Sequence, residues 1–261
     1  FYPCCSFSGL IIMGVLNENA IIGASQPSGY SVPDENTLLL IHSDDDDDST
    51  SFTDTSQTGH TITANGAAKH DTAQAKFGGS SIGFDGASAG ADYLSIPDHD
   101  HWDIGDNFTI DYWIYFTSFP DAYMHYLGRA TTTNTWSHYI SSTERIHVGR
   151  LGYTGIDSAA DYVTTGSWIH IAIQKTGGLT RFFKNGTATT MYWGAHSGAD
   201  AYTIGATSAD WWSPATSSNP LHIGGGASFG TFYSLNGYMD EIRISNVARY
   251  PSNFTPETAP Y

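Results

Sequence analysis

Hydrophobic positions in this chain fall into short runs with a period of two, separated by clusters of Gly, Asn, Ser, Thr and Asp. That pattern predicts β-strands joined by tight turns, with no amphipathic stretch of helical length between them. The clearest run is Phe108 to Phe116, where alternation puts Phe108, Ile110, Tyr112, Ile114 and Phe116 on one face and Asp111, Trp113 and Tyr115 on the other. The first set is the expected core. Further strands are predicted at Leu38 to Ile41, Ser81 to Phe84, Tyr93 to Ile96, Arg145 to Leu151, Trp168 to Lys175, Leu179 to Lys184, Leu221 to Ile223 and Tyr238 to Ile244. Thr176-Gly177-Gly178 and Lys184-Asn185-Gly186-Thr187 carry the residues that two-residue hairpin turns need. Short hairpins at this spacing predict an all-β fold, a two-sheet antiparallel β-sandwich.

Residues 1–35 differ from the rest. Small apolar clusters, Leu10 to Met13 and Ala20 to Ala24, are broken by Gly, Asn and Pro without a sustained period, so this part is read as an extended N-terminal arm for assembly or docking. Residues 36–261 form the sandwich. The run from Leu10 to Leu16 is too short to span a bilayer and lacks the basic flank of a signal peptide, so membrane insertion is not expected. The first residue is Phe1 and not Met, which fits a processed precursor, a partial sequence, or an upstream stretch ahead of Met13.

Composition narrows the function classes. With 26 acids against 10 bases the formal charge is -16, which disfavours nucleic acid and anionic membrane as partners. The two cysteines, Cys4 and Cys5, are neighbours and cannot staple distant parts of the core. Five consecutive aspartates, Asp44 to Asp48, follow the first strand; Asp45 to Asp48 are read as a solvated loop. Eleven histidines show no zinc-type spacing and are read as ordinary surface or core residues, with a weak metal contact at His99 and His101, near Asp98 and Asp103, as the other reading.

Two further chemistries are open. Trp136, Trp193, Trp211 and Trp212 are candidate platforms for sugar rings, whose apolar C–H faces pack on indole. Trp211-Trp212 is the sharpest case, in a Ser/Pro/Asn-rich loop-like stretch; the competing reading is that these side chains plug the sandwich or a subunit contact. Retaining glycosidases need two carboxyl groups about 5–5.5 Å apart. The five glutamates, Glu18, Glu35, Glu144, Glu241 and Glu257, form no such motif, so no catalytic residues are assigned and the chain is not expected to be an enzyme.

The segments Lys76 to Gly86, Asp92 to Pro97, Asn107 to Tyr115, Gly166 to Ala172, Arg181 to Gly186, Leu221 to Gly225 and Leu235 to Ser245 resemble, in that order, the laminin-G-like, concanavalin A-like lectin/glucanase superfamily. The form is the one seen in phage virion and bacterial surface proteins. The resemblance implies a concanavalin A-like jelly roll and a structural Ca²⁺ tying the last strand to the entry strand. Asp240 would be its last-strand ligand, with Asp44 and the Asp85-Gly86 pair as partners. Gly14 to Ala24 is also similar to the leaders of phage tail and head proteins. Together these readings point to a non-enzymatic structural and adhesive module of an assembled surface particle: a phage tail fibre, head fibre or capsid decoration on the virion surface. It would bind copies of itself or other particle subunits through residues 1–35, with glycans as further ligands. The alternatives are an extracellular filament or pilus subunit assembled through the arm, and a secreted carbohydrate-binding module.

Overall fold

Alternation along Phe108–Phe116 survives in three dimensions: Phe108, Ile110, Tyr112, Ile114 and Phe116 are all fully buried in one hydrophobic cluster. The computed structural model describes residues 33–86, 91–120, 123–129, 136–140, 144–150, 155–159, 162–193, 201–202, 217–226 and 233–261. The arm, residues 1–32 of it, therefore lies outside the described residues.

The described strands form two antiparallel sheets. In the first, β1 (Thr37–Ile41), β3 (Lys69–Asp71), β4 (Ser81–Asp85), β6 (Phe108–Phe116), β11 (Trp168–Thr176), β12 (Leu179–Lys184), β13 (Thr187–Ala188) and β17 (Asn236–Ser245) run in the order β13-β12-β11-β6-β17-β4-β3, with β1 also on β17. The second contains β2 (Thr63–Asn65), β5 (Tyr93–Ile96), β7 (Met124–Arg129), β8 (Trp136–Ile140), β9 (Ile146–Arg150), β10 (Ile156–Asp157), β14 (Met191–Trp193), β15 (Ala201–Tyr202) and β16 (Leu221–Ile223). Its order is β15-β14-β10-β9-β8-β7-β16-β5-β2. The flanking strands of both sheets are two or three residues long.

Turn chemistry fixes the hairpins. Thr176 pairs with Leu179, leaving Gly177 and Gly178 as a two-residue loop with φ of +56° and +75°; Lys184 pairs with Thr187 across Asn185 and Gly186, also at positive φ. Inward side chains of the two sheets meet in one apolar layer, crossed by hydrogen bonds of Tyr112 Oη to Tyr126 Oη at 2.9 Å and to His138 Nδ1 at 3.3 Å.

The outer face of the first sheet is also covered. Residues 246–261 run across β6, β11 and β12: Tyr250 N donates to Gln174, Phe254 N donates to Gly186 O, and the Tyr250 and Phe254 rings stack at 3.6 Å. Beneath them Asp111 is fully buried and accepts Arg243 Nε at 3.0 Å and Nη2 at 2.6 Å, together with the hydroxyls of Tyr250 and Tyr261. Burial alone would raise the Asp111 carboxyl; the Arg243 charge and these hydrogen bonds outweigh it and hold the group below its ordinary range. Removing one partner of such a pair strands the other charge. Asp111→Ala should therefore cost about 3–5 kcal/mol in urea unfolding, whereas Tyr250→Phe, which removes one neutral donor, should cost about 1 kcal/mol.

Candidate functional site

Two regions gather chemistry outside the apolar core. The first is a bulge in β17. Asp240 pairs with Trp113 and Arg243 with Asp111 on β6, so β17 carries one extra residue there, and Glu241 takes a positive φ of 49°. Around the bulge, with Met239 and Ile242 in the core, two successive carboxylates lie outside the core cluster and are still buried, Asp240 at 0% and Glu241 at 1% exposure. Asp240 accepts the backbone N–H groups of Lys76 (3.0 Å), Phe77 (3.2 Å) and Glu241 (2.9 Å). Glu241 pairs with His42 Nδ1 at 2.9 Å and accepts from Tyr261 N at 2.8 Å. Asp44, just beyond β1, accepts from Gly79 N at 3.1 Å, while its Oδ2 is buried without a hydrogen-bond partner.

The loop 76–79 thus serves both aspartates. A side chain at Gly78 would collide with Asp44, the built Cβ falling 1.6 Å from Oδ1, and the backbone there has a φ of +57°. Burial, then the Glu241 charge, pushes the Asp44 carboxyl up to about 6. Asp240 is raised well above its ordinary value by burial first and then by Glu241 and Asp44. Lys76, whose ammonium lies 3.8 Å from the Trp113 ring centroid, is lowered by burial against a small opposing pull from Asp240. The three carboxylates are coupled by mutual repulsion, and one Asp44 oxygen is left without a hydrogen-bond partner.

The second region is the outer face of the second sheet. Register places His125 opposite Tyr139, Tyr139 opposite His147, His147 opposite Asp157, and Asp157 opposite Tyr192, a row across five strands. Alongside it, Ser95, His222, Gly128, Ser137 and Gly149 form a row of mostly small residues. Tyr139 and His147 stack at 4.3 Å, His147 Nδ1 meets Asp157 Oδ1 at 2.9 Å, and Tyr93 lies 4.5 Å from His222. Asp157 Oδ2 and His222 Nδ1 are buried without hydrogen-bond partners. Burial lowers His222 to about 4, so this ring is neutral at physiological pH. The row ends at Tyr123, which is 37% exposed and packs edge-on to Tyr139.

The sequence-derived site residues distribute unevenly. Asp240 and Asp44 lie close enough to couple electrostatically, together with Glu241, which the sequence analysis did not assign to the site. Asp85 and Gly86 do not join them: Asp85 pairs with Asn236, four residues before Asp240, or about 13 Å along the strand. Trp136 is 3% exposed and lies in the core cluster, its Nε1 donating to Trp102 O at 3.0 Å, so it offers no open ring face. Trp193 is placed by its backbone alone, opposite Ile156. Trp211 and Trp212 lie outside the described residues. Asp45 to Asp48 are exposed, as expected of a solvated loop, with Asp47 accepting from Thr72.

Residues 88–253, well over half of the chain, match the laminin-G-type family described as the concanavalin A-like lectin/glucanases superfamily. The chain belongs to this superfamily. Solved structures with the same fold include a mutant of HCR/D (TM-score 0.55, 11% identity, 81% of this chain and 48% of that one). Trypanosoma rangeli sialidase in complex with sialic acid (0.53, 11%, 84% and 32%) and the botulinum neurotoxin serotype D binding domain (0.51, 10%, 81% and 48%) are also similar. This concanavalin A-like chain spans a third to a half of the length of those structures, and at such identities the likeness establishes the fold alone. No curated protein sequence matches it. Among the described residues no helix is long and apolar enough to cross a membrane.

The raised Asp44 carboxyl has a definite sign in stability. Its folded-state pKa lies above the ordinary value, so the stability it contributes is present below 3.8 and is lost as pH rises through about 6. In a chelating buffer the melting temperature should fall across that window. Asp44→Asn should flatten the fall, as read by calorimetry at several pH values.

Proposed function

We propose that this protein is a non-catalytic, glycan-recognising module of an assembled surface particle, stabilised by Ca²⁺. The observation that carries the glycan reading is the outer face of the second sheet. There a row of aromatic and imidazole rings surrounds two buried polar atoms, Asp157 Oδ2 and His222 Nδ1, that have no partner within the protein. Rings that pack on apolar C–H faces, beside neutral and anionic hydrogen-bond acceptors, match the mixed surface of a sugar. A sialidase structure with this fold, determined with sialic acid, supports the same reading.

The absence of a paired acid supports the non-catalytic part. Among the described strands of the second sheet Asp157 is the one carboxylate, whereas cleavage of a glycosidic bond in the usual manner uses two. His147 occupies the neighbouring position, and its hydrogen bond orients Asp157 without supplying a second acid.

For the cation, Asp44, Asp240 and Glu241 are the proposed ligand set, which replaces Asp85 and Gly86 by a neighbour on the bulge. Ca²⁺ there would neutralise carboxylates that otherwise repel each other, and would tie β1 to β17. The particle-level role, a virion fibre or decoration or else an extracellular filament, rests on the phage-like segment Gly14 to Ala24 and on a surface poor in charge and rich in Ser, Thr and Gly.

The glycan reading is tested on an array with the full chain. Binding to at least one glycan class is expected, with a loss of tenfold or more in Asp157→Asn and Tyr123→Ala; no signal from the parent protein would refute it. The cation reading is tested separately by calorimetric unfolding in EDTA and then in excess Ca²⁺. An upward shift of the midpoint is expected in the parent and should vanish in Asp240→Asn. Deleting residues 1–32, which spares the Asp34–Arg249 contact, should abolish assembly as seen by electron microscopy and leave the sandwich folded.

A further inference from the structure

His60, His99 and His101 come together at one corner of the sandwich, with one ring nitrogen from each within 4.8 Å of the others. Their ring centroids are 4.0–5.1 Å apart, and His60 packs 4.7 Å from the fully buried Trp102. Nothing in the glycan face or in the β17 carboxylates involves them.

Each ring is held by a different device. An isolated bridge between Thr53 and Thr61 closes the loop that carries His60. Inside that loop the buried Asp54 accepts from Leu40 N (3.0 Å), Ser56 N (2.9 Å), Ser56 Oγ (2.8 Å) and His60 N (2.8 Å). A carboxylate with so many donors is an anion, so the 2.6 Å contact from His60 Nδ1 is an N–H donor and the lone pair is left on Nε2. That Nε2 is buried and has no hydrogen-bond partner, on a side chain only 6% exposed. His101 likewise keeps a buried, unpartnered Nδ1. His99 is exposed and caps the short 3₁₀ turn Asp100–Trp102, its Nδ1 accepting His101 N at 3.1 Å.

The turn that presents His99 and His101 is rigidly anchored. Arg129, 1% exposed, donates to Asp98 at its start and to Asp103 at its end, and Trp102 Nε1 donates to Pro97 O at 2.8 Å. Those two aspartates, the sequence-level candidates for partnering His99, are therefore engaged by Arg129. Histidine from the Asp54 loop takes their place.

We infer that His60 Nε2, His99 Nδ1 and His101 Nδ1 form a binding site for a divalent transition metal of the zinc class, with Asp54 as the carboxylate that orients His60. Three neutral imidazoles suit Zn²⁺, Cu²⁺ or Ni²⁺ and not Ca²⁺ or Mg²⁺. A carboxylate behind a ligating histidine fixes its tautomer and raises its basicity. Zinc–nitrogen bonds of about 2.0–2.1 Å require the ligand atoms to draw closer. The exposed His99 can supply that movement by giving up its cap bond to His101 N. The solvent side of His99 then leaves a fourth coordination position open to water.

The test uses the full chain dialysed against Zn²⁺ and, separately, Co²⁺, in the presence of Ca²⁺ to fill oxygen sites. One equivalent of Zn²⁺ is expected by elemental analysis, and the Co²⁺ form should show the strong visible absorption of a four-coordinate ion. His99→Ala removes an exposed side chain together with its cap bond, so the metal-free melting temperature should fall only slightly, while Zn²⁺ binding should weaken at least as much as in Asp54→Asn, for which a loss of about 10–100-fold is expected. A stoichiometry near zero would overturn the site, as would binding that His99→Ala and His60→Ala leave unchanged, or a weak six-coordinate Co²⁺ spectrum.

Discussion

One extra residue in β17 organises the first sheet. Without the bulge at Asp240 and Glu241, a ten-residue strand would present one uniform edge, and a single partner would run along it. With it, β4 pairs with residues 236–239 and β1 with residues 242–245 on the same side, while β6 holds the other side throughout. The change of register at the junction buries two adjacent side chains outside the apolar core, and both are acids. The sandwich thus gains a join between its entry strand and its last strand at the place where negative charge is least screened. Backbone donors from the 76–79 loop partly compensate, and the residual repulsion is what makes the place receptive to a cation.

Much of this architecture was legible in the sequence because it is local. Alternation in β6 and β11, and the Gly177-Gly178 and Asn185-Gly186 turns, encode strand faces and hairpin register within a few residues. Asp44 and Asp240 were legible only through resemblance, since nothing nearby in the chain marks them as neighbours. Asp85 and Gly86 failed to join them because the pairing of β4 with the start of β17 carries that pair toward the opposite end of the strand. Trp136 was misleading for a different reason. Its flanks are polar, but Ser137 and Tyr139 face outward while Trp136 and His138 face the core, so a ring that looked exposed is buried. The His125–Tyr139–His147–Asp157 row and the His60–His99–His101 cluster depend on cross-strand register and on loops brought from remote parts of the chain. No spacing rule reports such meetings, and isolated histidines in one dimension look ordinary.

The two sheets divide the work of the fold. The first is covered on its outer side by residues 246–261 where they cross β6, β11 and β12 over the Asp111–Arg243 pair. The second carries polar and aromatic groups on the side away from the core, nearly all of them buried, and spans more, shorter strands. Tyr112 and Tyr126 hydrogen-bond through the core between them, so the sheets are tied by a directional contact as well as by apolar packing, which resists sliding of one layer over the other.

The brevity of the flanking strands bears on how copies of such a molecule could join. Thr187–Ala188 and Thr63–Asn65 are only two or three residues long, and the outer margin of Lys69–Asp71 is taken up by backbone hydrogen bonds of His70 with Asp48 and Ser49. A foreign extended segment laid beside any of them would gain few main-chain hydrogen bonds, and runaway edge-to-edge stacking is suppressed for the same reason. Among the described residues, polymerisation by donated strands is thereby disfavoured relative to assembly through side-chain surfaces.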